Sequence, residues 1–457
     1  MNWQDVLTAM LPEHVLLLGM LLLLGLEIYT GRERGGFLLA VATLVVAGLA
    51  ALWLTCTGYA GAPFPGHYSI NAAGALSKAV LLAFALPVLL VSRDDFEEGR
   101  YYVLLLASLY GACLLVSSDS FATLFLGLEI MSLPVYVLVL LGFLRPESTE
   151  AALKYLVLGG TATATLLMGV SLLYGWGASL ALTIFGSADT LAAAGAALII
   201  AALFLKAAIV PLHAWAPDAY EGASVPVTAY MATVIKAGVL LAALRLFSTA
   251  PVSGPMAALL AALPLISMVW GNIAAIRQTS FRRMIAYSSI AHAGYLFYAF
   301  LGAGEGRYEA IVFYLVAYGL MNLLAFAALP RGADDTTHDH LDAFKGLYQR
   351  KPFAAVMIAV AMLSLAGLPP LPGFVAKFLV FRNVVAAGYT LYAVLGLVAS
   401  YLGIYFYLRV IQYMFMGATD PAAAHGRERR FAFVASVLCL VPALLLALFP
   451  GWLLDRL

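Results

Sequence analysis

The sequence is short of charge. Only 11% of its 457 residues are Asp, Glu, Lys or Arg, against about 25% in an ordinary soluble domain. That shortage excludes a water-soluble globular enzyme, a disordered protein and a nucleic-acid binder. The charges also balance, 25 Lys and Arg against 24 Asp and Glu, so no global field steers an anionic partner. Cysteine is scarce: Cys56, Cys113 and Cys439 each lie in an apolar run, and no two are close in sequence. Without zinc-ribbon, iron–sulfur or haem-attachment spacing, no metal or redox cofactor is expected, and all three are read as buried free thiols. A dinucleotide fingerprint and a phosphate loop are also missing. The nearest glycine cluster, Gly302 to Gly306, links two apolar segments instead of a strand and a helix, so no bound nucleotide is expected. The opening Met1-Asn-Trp-Gln-Asp5 lacks a basic region and a small-residue cleavage site, so the first apolar run is expected to be a retained span.

What is abundant is apolar surface. Hydrophobic residues make up 63% of the chain, and the mean hydropathy is +0.96. At roughly 20 residues per membrane helix and about 30 to 35 with its loop, the length accommodates about 13 to 15 spans. The expected fold is therefore an all-α polytopic membrane protein embedded in a lipid bilayer. Apolar runs between polar breaks give fourteen candidates, near 12–30, 37–57, 73–92, 101–118, 120–143, 151–175, 191–217, 222–248, 255–276, 284–303, 308–330, 352–382, 388–416 and 431–454. Alternating these spans places fifteen loop Lys and Arg, from Arg32 to Arg430, on one side. The other side holds only Arg245, Arg307, Arg382 and Arg456. The rich side is expected to be cytoplasmic, which puts both termini on the non-cytoplasmic side of a cell inner (plasma) membrane.

Six basic residues are left inside the spans: Lys78, Lys154, Lys206, Lys236, Lys377 and Arg409. A central Lys costs at least about 2.5–3.5 kcal/mol to insert, so such residues are rare without partners and work to do. Lys78 and Arg409 sit near helix ends, where snorkelling accounts for them, and the same account is open for Lys154. Lys206, Lys236 and Lys377 are too deep for it. Glu129, in Leu126-Gly-Leu-Glu129-Ile-Met-Ser-Leu-Pro134, is the matching acid; Glu27 is read as interfacial. A static Glu129–Lys206 pair locking two helices is the plainer alternative, but it explains one Lys and not a series.

Two spans carry proline close to lysine, Phe204-Leu-Lys206 to Pro211-Leu-His213-Ala-Trp215 and Ser364 to Pro369-Pro370-Leu-Pro372-Gly373 to Lys377. Proline removes a donor and clashes with the preceding turn, so each helix is expected to break. Unpaired backbone at membrane depth is tolerated only inside protein or beside water, which predicts a hydrated pocket at each break. Pro211 and Pro370 are 159 residues apart, and the same shift carries Glu129 close to His292. Spans four to eight thus map onto nine to thirteen, and five helices per unit make the second copy inverted. The expected organisation is an N-terminal three-helix segment (1–100), a first five-helix repeat (101–250), a second, inverted one (251–417) and a last helix (418–457).

Two linked half-channels follow from that symmetry. A proton enters towards Lys206, crosses to Lys377 and leaves on the other side, with Lys236 and His292 between. His292 and His213 are read either as relays or as neutral, hydrogen-bonded interior residues. Lysine suits the task because burial disfavours its charged form, while a carboxylate at 4 Å restores it by about 4 kcal/mol at an effective dielectric of 20. The polar loop from Arg331 to Lys351, with Asp334-Asp-Thr-Thr-His338-Asp-His340, is read as solvated and not as a metal site. Asp218 and Glu221 either guide protons at a cytoplasmic mouth or are solvated loop charges.

Leu128-Glu129 with Pro134, Lys206 through Asp218, Ile235-Lys236-Ala-Gly238, Tyr287-Ser-Ser-Ile-Ala-His292-Ala-Gly-Tyr295 and Ser364 through Phe378 closely resemble the antiporter-like subunits of proton-pumping NADH:quinone oxidoreductase, respiratory complex I. Within that group, subunit M carries Glu where this chain has Lys377, and subunit L adds a lateral helix for which Leu457 leaves no room; both departures point to the N branch. The resemblance implies a proton channel of the membrane arm, held among its other subunits, without a redox cofactor and driven by quinone reduction elsewhere. It also implies proton-transfer roles for Glu129, Lys154, Lys206, Lys236 and Lys377. A subunit of a multi-subunit cation/proton antiporter or of a membrane-bound hydrogenase stays open, as does a scaffold whose charges only hold helices together.

Overall fold

The computed structural model describes residues 3–30, 36–96, 99–141, 146–187, 189–250, 252, 254–302, 304–330, 339–417 and 429–457. Arg32, Arg34, Arg145, Arg331, Arg427 and the Asp334–His338 part of the polar loop lie outside them. Among the described residues, twelve helices are long and apolar enough to cross a membrane. Two shorter apolar helices, Gly99–Leu115 and Pro352–Ala366, complete the fourteen segments expected. Helices are what such runs must form, because a bilayer offers backbone N–H and C=O groups no partner but each other.

In chain order the first helices are α1 (Trp3–Ala9), α2 (Leu11–Thr30) and α3 (Gly36–Cys56). A small antiparallel hairpin follows, β1 (Gly61–Phe64) and β2 (Tyr68–Ile70), pairing Gly61 with Ile70 and Phe64 with Tyr68. Nothing in the hydropathy pattern announces it. Next come α4 (Ala72–Ser92), α5 (Gly99–Leu115), α6 (Phe121–Leu141), α7 (Pro146–Gly177), α8 (Thr190–Ala207), α9 (Trp215–Gly222), α10 (Val225–Tyr230) and α11 (Lys236–Ser248). The last two are joined by a π-helical turn, Met231–Ile235. The remainder is α12 (Gly254–Ile276), α13 (Phe281–Tyr298), α14 (Gly304–Ala327), the short α15 (Leu347–Arg350), α16 (Pro352–Ala366), α17 (Pro372–Ala386), α18 (Thr390–Met416), α19 (Arg430–Leu448) and α20 (Gly451–Leu454).

Two compact units result. One holds the residues up to Ala207 together with Gly222–Met256; the other holds Ala208–Glu221 together with Ala257–Leu457. In the first, α2 packs on α3 and α5, α5 on α6, and α7 on α8. In the second, α14 packs on α16, α17 and α19, and α16 on α18.

Both proline-bearing spans break, and they break alike. Helix α8 stops at Ala207 and α16 at Ala366, each followed by a residue in the left-handed region, Ala208 (φ 62) and Gly367 (φ 85). A cis peptide follows each, Val210–Pro211 and Pro369–Pro370. The offset between the two breaks is 159 residues at every one of these positions (208 to 367, 210 to 369).

Several charges are not where snorkelling or solvation would leave them. Lys78 on α4 is wholly buried, 2.6 Å from Glu13 of α2, because the hairpin brings Tyr68 over the pair and closes it from water. Arg409 of α18 donates to the carbonyls of Ile276 (2.7 Å) and Gln278 (2.6 Å), satisfying the frayed C-terminal end of α12 instead of reaching for water. Arg245 belongs to the last turn of α11, not to a loop, and pairs with Asp119. Asp339 is buried against Arg282 at 3.1 Å and accepts from the Arg282 backbone N–H, so that end of the polar loop is anchored rather than solvated. Asp218 and Glu221 lie on α9, paired with Arg283 at 2.7 and 2.9 Å. Of the three thiols, Cys113 and Cys439 are buried and Cys56 is exposed, because it ends α3 at the hairpin.

Candidate functional site

In the first unit the site is built on one face of α6. Glu129, Ser132 and Tyr136 stand at i, i+3 and i+7, the spacing that stacks side chains on a helix. Lys206, in the last turn of α8, reaches all three: 3.4 Å to Glu129 Oε1, 3.1 Å to Ser132 Oγ and 3.3 Å to the Tyr136 hydroxyl. Glu129 also accepts from the Thr163 hydroxyl of α7. The Lys206 side chain is 5% exposed and the Glu129 side chain 20%, so the carboxylate is the wetter partner. At 3.4 Å and an effective dielectric of 20 their attraction is about 5 kcal/mol, from which desolvation takes a large part.

The other two lysines of this unit differ. Lys154 on α7 meets Glu150 one turn away at 2.6 Å and keeps 43% of its side chain exposed. Lys236 opens α11 directly after the π-helical turn and is buried. Such turns inside helices occur disproportionately at functional sites.

Among the described residues, the second unit holds Lys377 without a carboxylate partner. Its amine donates to the Ala366 carbonyl at 2.9 Å and to Ser400 Oγ of α18 at 2.9 Å. Ala366 ends α16, so the ammonium sits at the negative end of a half-helix whose last carbonyls the break has freed. The Tyr295 ring lies 5.1 Å from the amine. Two glycines make the fold-back possible. Gly367 adopts φ 85, and a Cβ there would stand 2.8 Å from Lys377 Cδ; a Cβ on Gly373 would overlap the Ser364 carbonyl.

His292 of α13 is buried with both ring nitrogens engaged, Nδ1 with the Tyr314 hydroxyl at 2.8 Å and Nε2 with the Tyr407 hydroxyl at 3.0 Å. Between it and the second break lies a cavity of about 10 Å³, lined by His292, Tyr318, Met321, Ser364, Gly373 and Ala376. That is room for about one water. His213 follows the first break. Its Nε2 accepts from Trp270 Nε1–H at 3.0 Å, so the tautomer that fits carries hydrogen on Nδ1, facing the Pro211 carbonyl at 3.3 Å.

The structure thus joins Glu129 to Lys206 and sets Lys377 and His292 around the second break, while Lys154 has its own partner. Sequence reasoning missed Tyr136, Ser400, Tyr314 and Tyr407. Of these, Tyr136 alone had a local signal, its spacing from Glu129. Among the described residues no group of three or more His, Cys, Asp or Glu stands ready to hold a metal.

Residues 118–403 match the family model described as NADH:quinone oxidoreductase/Mrp antiporter, transmembrane. The NADH-quinone oxidoreductase subunit N of Pelobacter propionicus is 39% identical over 420 residues, 90% of this chain and 89% of that protein. A chain of respiratory complex I from Thermus thermophilus superposes with a TM-score of 0.87 at 33% identity, covering 97% of this chain and 98% of that one. A chain of the Mrp complex from Dietzia shares the fold, with a TM-score of 0.85 at 22% identity over 100% and 96% of the two chains.

Proposed function

Because this chain belongs to the NADH:quinone oxidoreductase/Mrp antiporter family of membrane subunits, we propose that it is the membrane-arm subunit N of such an oxidoreductase and carries protons on its buried lysines. Identities of 39 and 33% to oxidoreductase chains, against 22% to the Mrp chain, favour that assembly over the antiporter. Electron transfer and quinone reduction belong to other subunits; this one moves protons in response. It is a multi-pass membrane protein, and the excess of Lys and Arg on one side supports a plasma-membrane orientation with both termini outside.

The observation that carries the proposal is the Lys206 amine held 3.4 Å from Glu129 at the last turn before a helix break. With the pair closed, the carboxylate holds the proton on the amine. Doubling the separation removes about half of the attraction, about 2.5 kcal/mol, and frees the proton to move on. Lys377 serves the second half-channel, where the Ala366 carbonyl and Ser400 orient its amine. Lys236 and His292 act as intermediate carriers, His213 as a further relay beside the first break, and Lys154, paired with Glu150, as a further proton-transfer group on α7. The 159-residue recurrence of the break supports two half-channels working in series.

Lys206→Ala tests this in inverted membrane vesicles from the source organism. The complex should assemble and the rate of NADH-driven proton uptake should fall by about 100-fold or more, as expected for loss of a positioned proton-transfer group. Normal assembly with normal uptake overturns the assignment.

A further inference from the structure

Among the described residues, the most deeply buried ion pair of the first unit is not part of the site above. Glu13 of α2 and Lys78 of α4 are both 0% exposed and stand 2.6 Å apart. The Tyr68 hydroxyl joins them, donating to Glu13 Oε1 at 2.9 Å and accepting from Lys78 Nζ at 2.5 Å. A tie that served only to hold helices would be expected to satisfy both carboxylate oxygens. Here Glu13 Oε2 is buried and meets no donor among the described residues. A proton bound at that oxygen would displace no existing hydrogen bond. Tyr68, Tyr110 and Cys113 are titratable side chains close enough to feel the carboxylate, and His14 follows it in the chain.

The surroundings connect the pair in two directions. Inward, α4 packs against α10 and the π-helical turn that leads to Lys236. Outward, the residues flanking Tyr68 on the hairpin reach a polar collar. Ser69 Oγ accepts from Arg245, which also binds Asp119, whose side chain is 30% exposed. His67 Nδ1 lies 3.3 Å from Ser120 Oγ. The buried pair is therefore one strand residue away from partly exposed groups.

We propose that Glu13 and Lys78 form a second proton-holding pair, an exit station of the first unit that branches from the path between Lys206 and Lys377. An arriving proton forms an O–H bond at Glu13 Oε2, leaving a neutral acid beside the Lys78 ammonium. Its departure through the Tyr68 side of the pair to the collar breaks that bond and restores the carboxylate. One proton enters, one leaves, and no other group changes charge. This rests on the proton-translocating role proposed above.

The test uses the whole complex in inverted vesicles. A double variant, Glu13→Leu with Lys78→Met, replaces the pair by apolar side chains of similar length. Such swaps preserve a purely structural contact, whereas a single deletion strands a buried charge. Assembly should match wild type, and the rate of NADH-driven proton uptake should fall at least about twofold, a floor well below the ~10²–10⁴ a positioned proton-transfer group supplies. Normal assembly with normal uptake overturns the proposal and makes the pair a structural tie. If the double variant does not assemble, Glu13→Gln decides by the same rate, since the amide keeps the shape and an acceptor for Tyr68 but takes up no proton. Failure of both to assemble also overturns it. Lys206→Ala runs alongside: if that variant pumps normally the broader function fails, whereas loss there with no loss at the pair sinks only the exit station.

Discussion

The two helix breaks share a backbone and differ in their charge. Ala208 and Gly367 occupy the same left-handed position 159 residues apart, yet Lys206 stands just before its break and Lys377 ten residues after its own. Lys206 therefore cannot cap the half-helix it belongs to and takes Glu129 as partner. Lys377 folds back onto the carbonyl end of α16 and needs no acid. The backbone device recurs while the partners of the two lysines differ. One amine faces a carboxylate, the other the carbonyl end of a broken helix.

The largest expected effect breaks the comparison at its acid. Glu129→Gln should lower the rate of NADH-driven proton uptake by about 100-fold while the complex assembles. Wild-type uptake would mean that Lys206, like Lys377, works without a carboxylate. Next come reciprocal changes at the left-handed positions. Gly367→Ala should lower the midpoint of thermal inactivation, costing about 1–2 kcal/mol for the backbone alone, and should also reduce uptake by pushing Lys377 off Ala366. Ala208→Gly should stabilise by about 1 kcal/mol without touching uptake. Equal responses at the two sites would show that their environments, and not only their backbones, are alike. The smallest effect lies outside both breaks. Lys345 beside Asp342, 2.8 Å away, holds that carboxyl below the usual carboxylate range. Any stability it lends is present above that range and is lost only as pH falls through the lowered value. Asp342→Asn should leave the thermal midpoint unchanged at neutral pH, and a measurable drop would assign the loop a larger role.

Much of this was readable in the chain because a bilayer penalises charge so heavily. Lys206, Lys236, Lys377 and Glu129 stood out against apolar runs, and the prolines marked both breaks. Ser132 and Tyr136 were missed, although both stand at helical spacing from Glu129. What could not be read depended on partners distant in sequence. Lys78 looked like a snorkelling stem because Glu13 lies 65 residues earlier on another helix, and the hairpin that seals them has no hydropathy signature. Arg409 looked the same because the carbonyls it satisfies belong to the end of α12. The hydroxyls flanking His292 come from α14 and α18, and no local pattern points to them.

The uneven burial of the thiols has a practical consequence. Cys113 and Cys439 are sealed in the interior, whereas Cys56 ends α3 in the open, on the hairpin side. The unmodified chain thus carries a single addressable handle. A maleimide too polar to cross a bilayer, offered to intact cells and then to inside-out vesicles, reports from this one sulfur which compartment the hairpin faces.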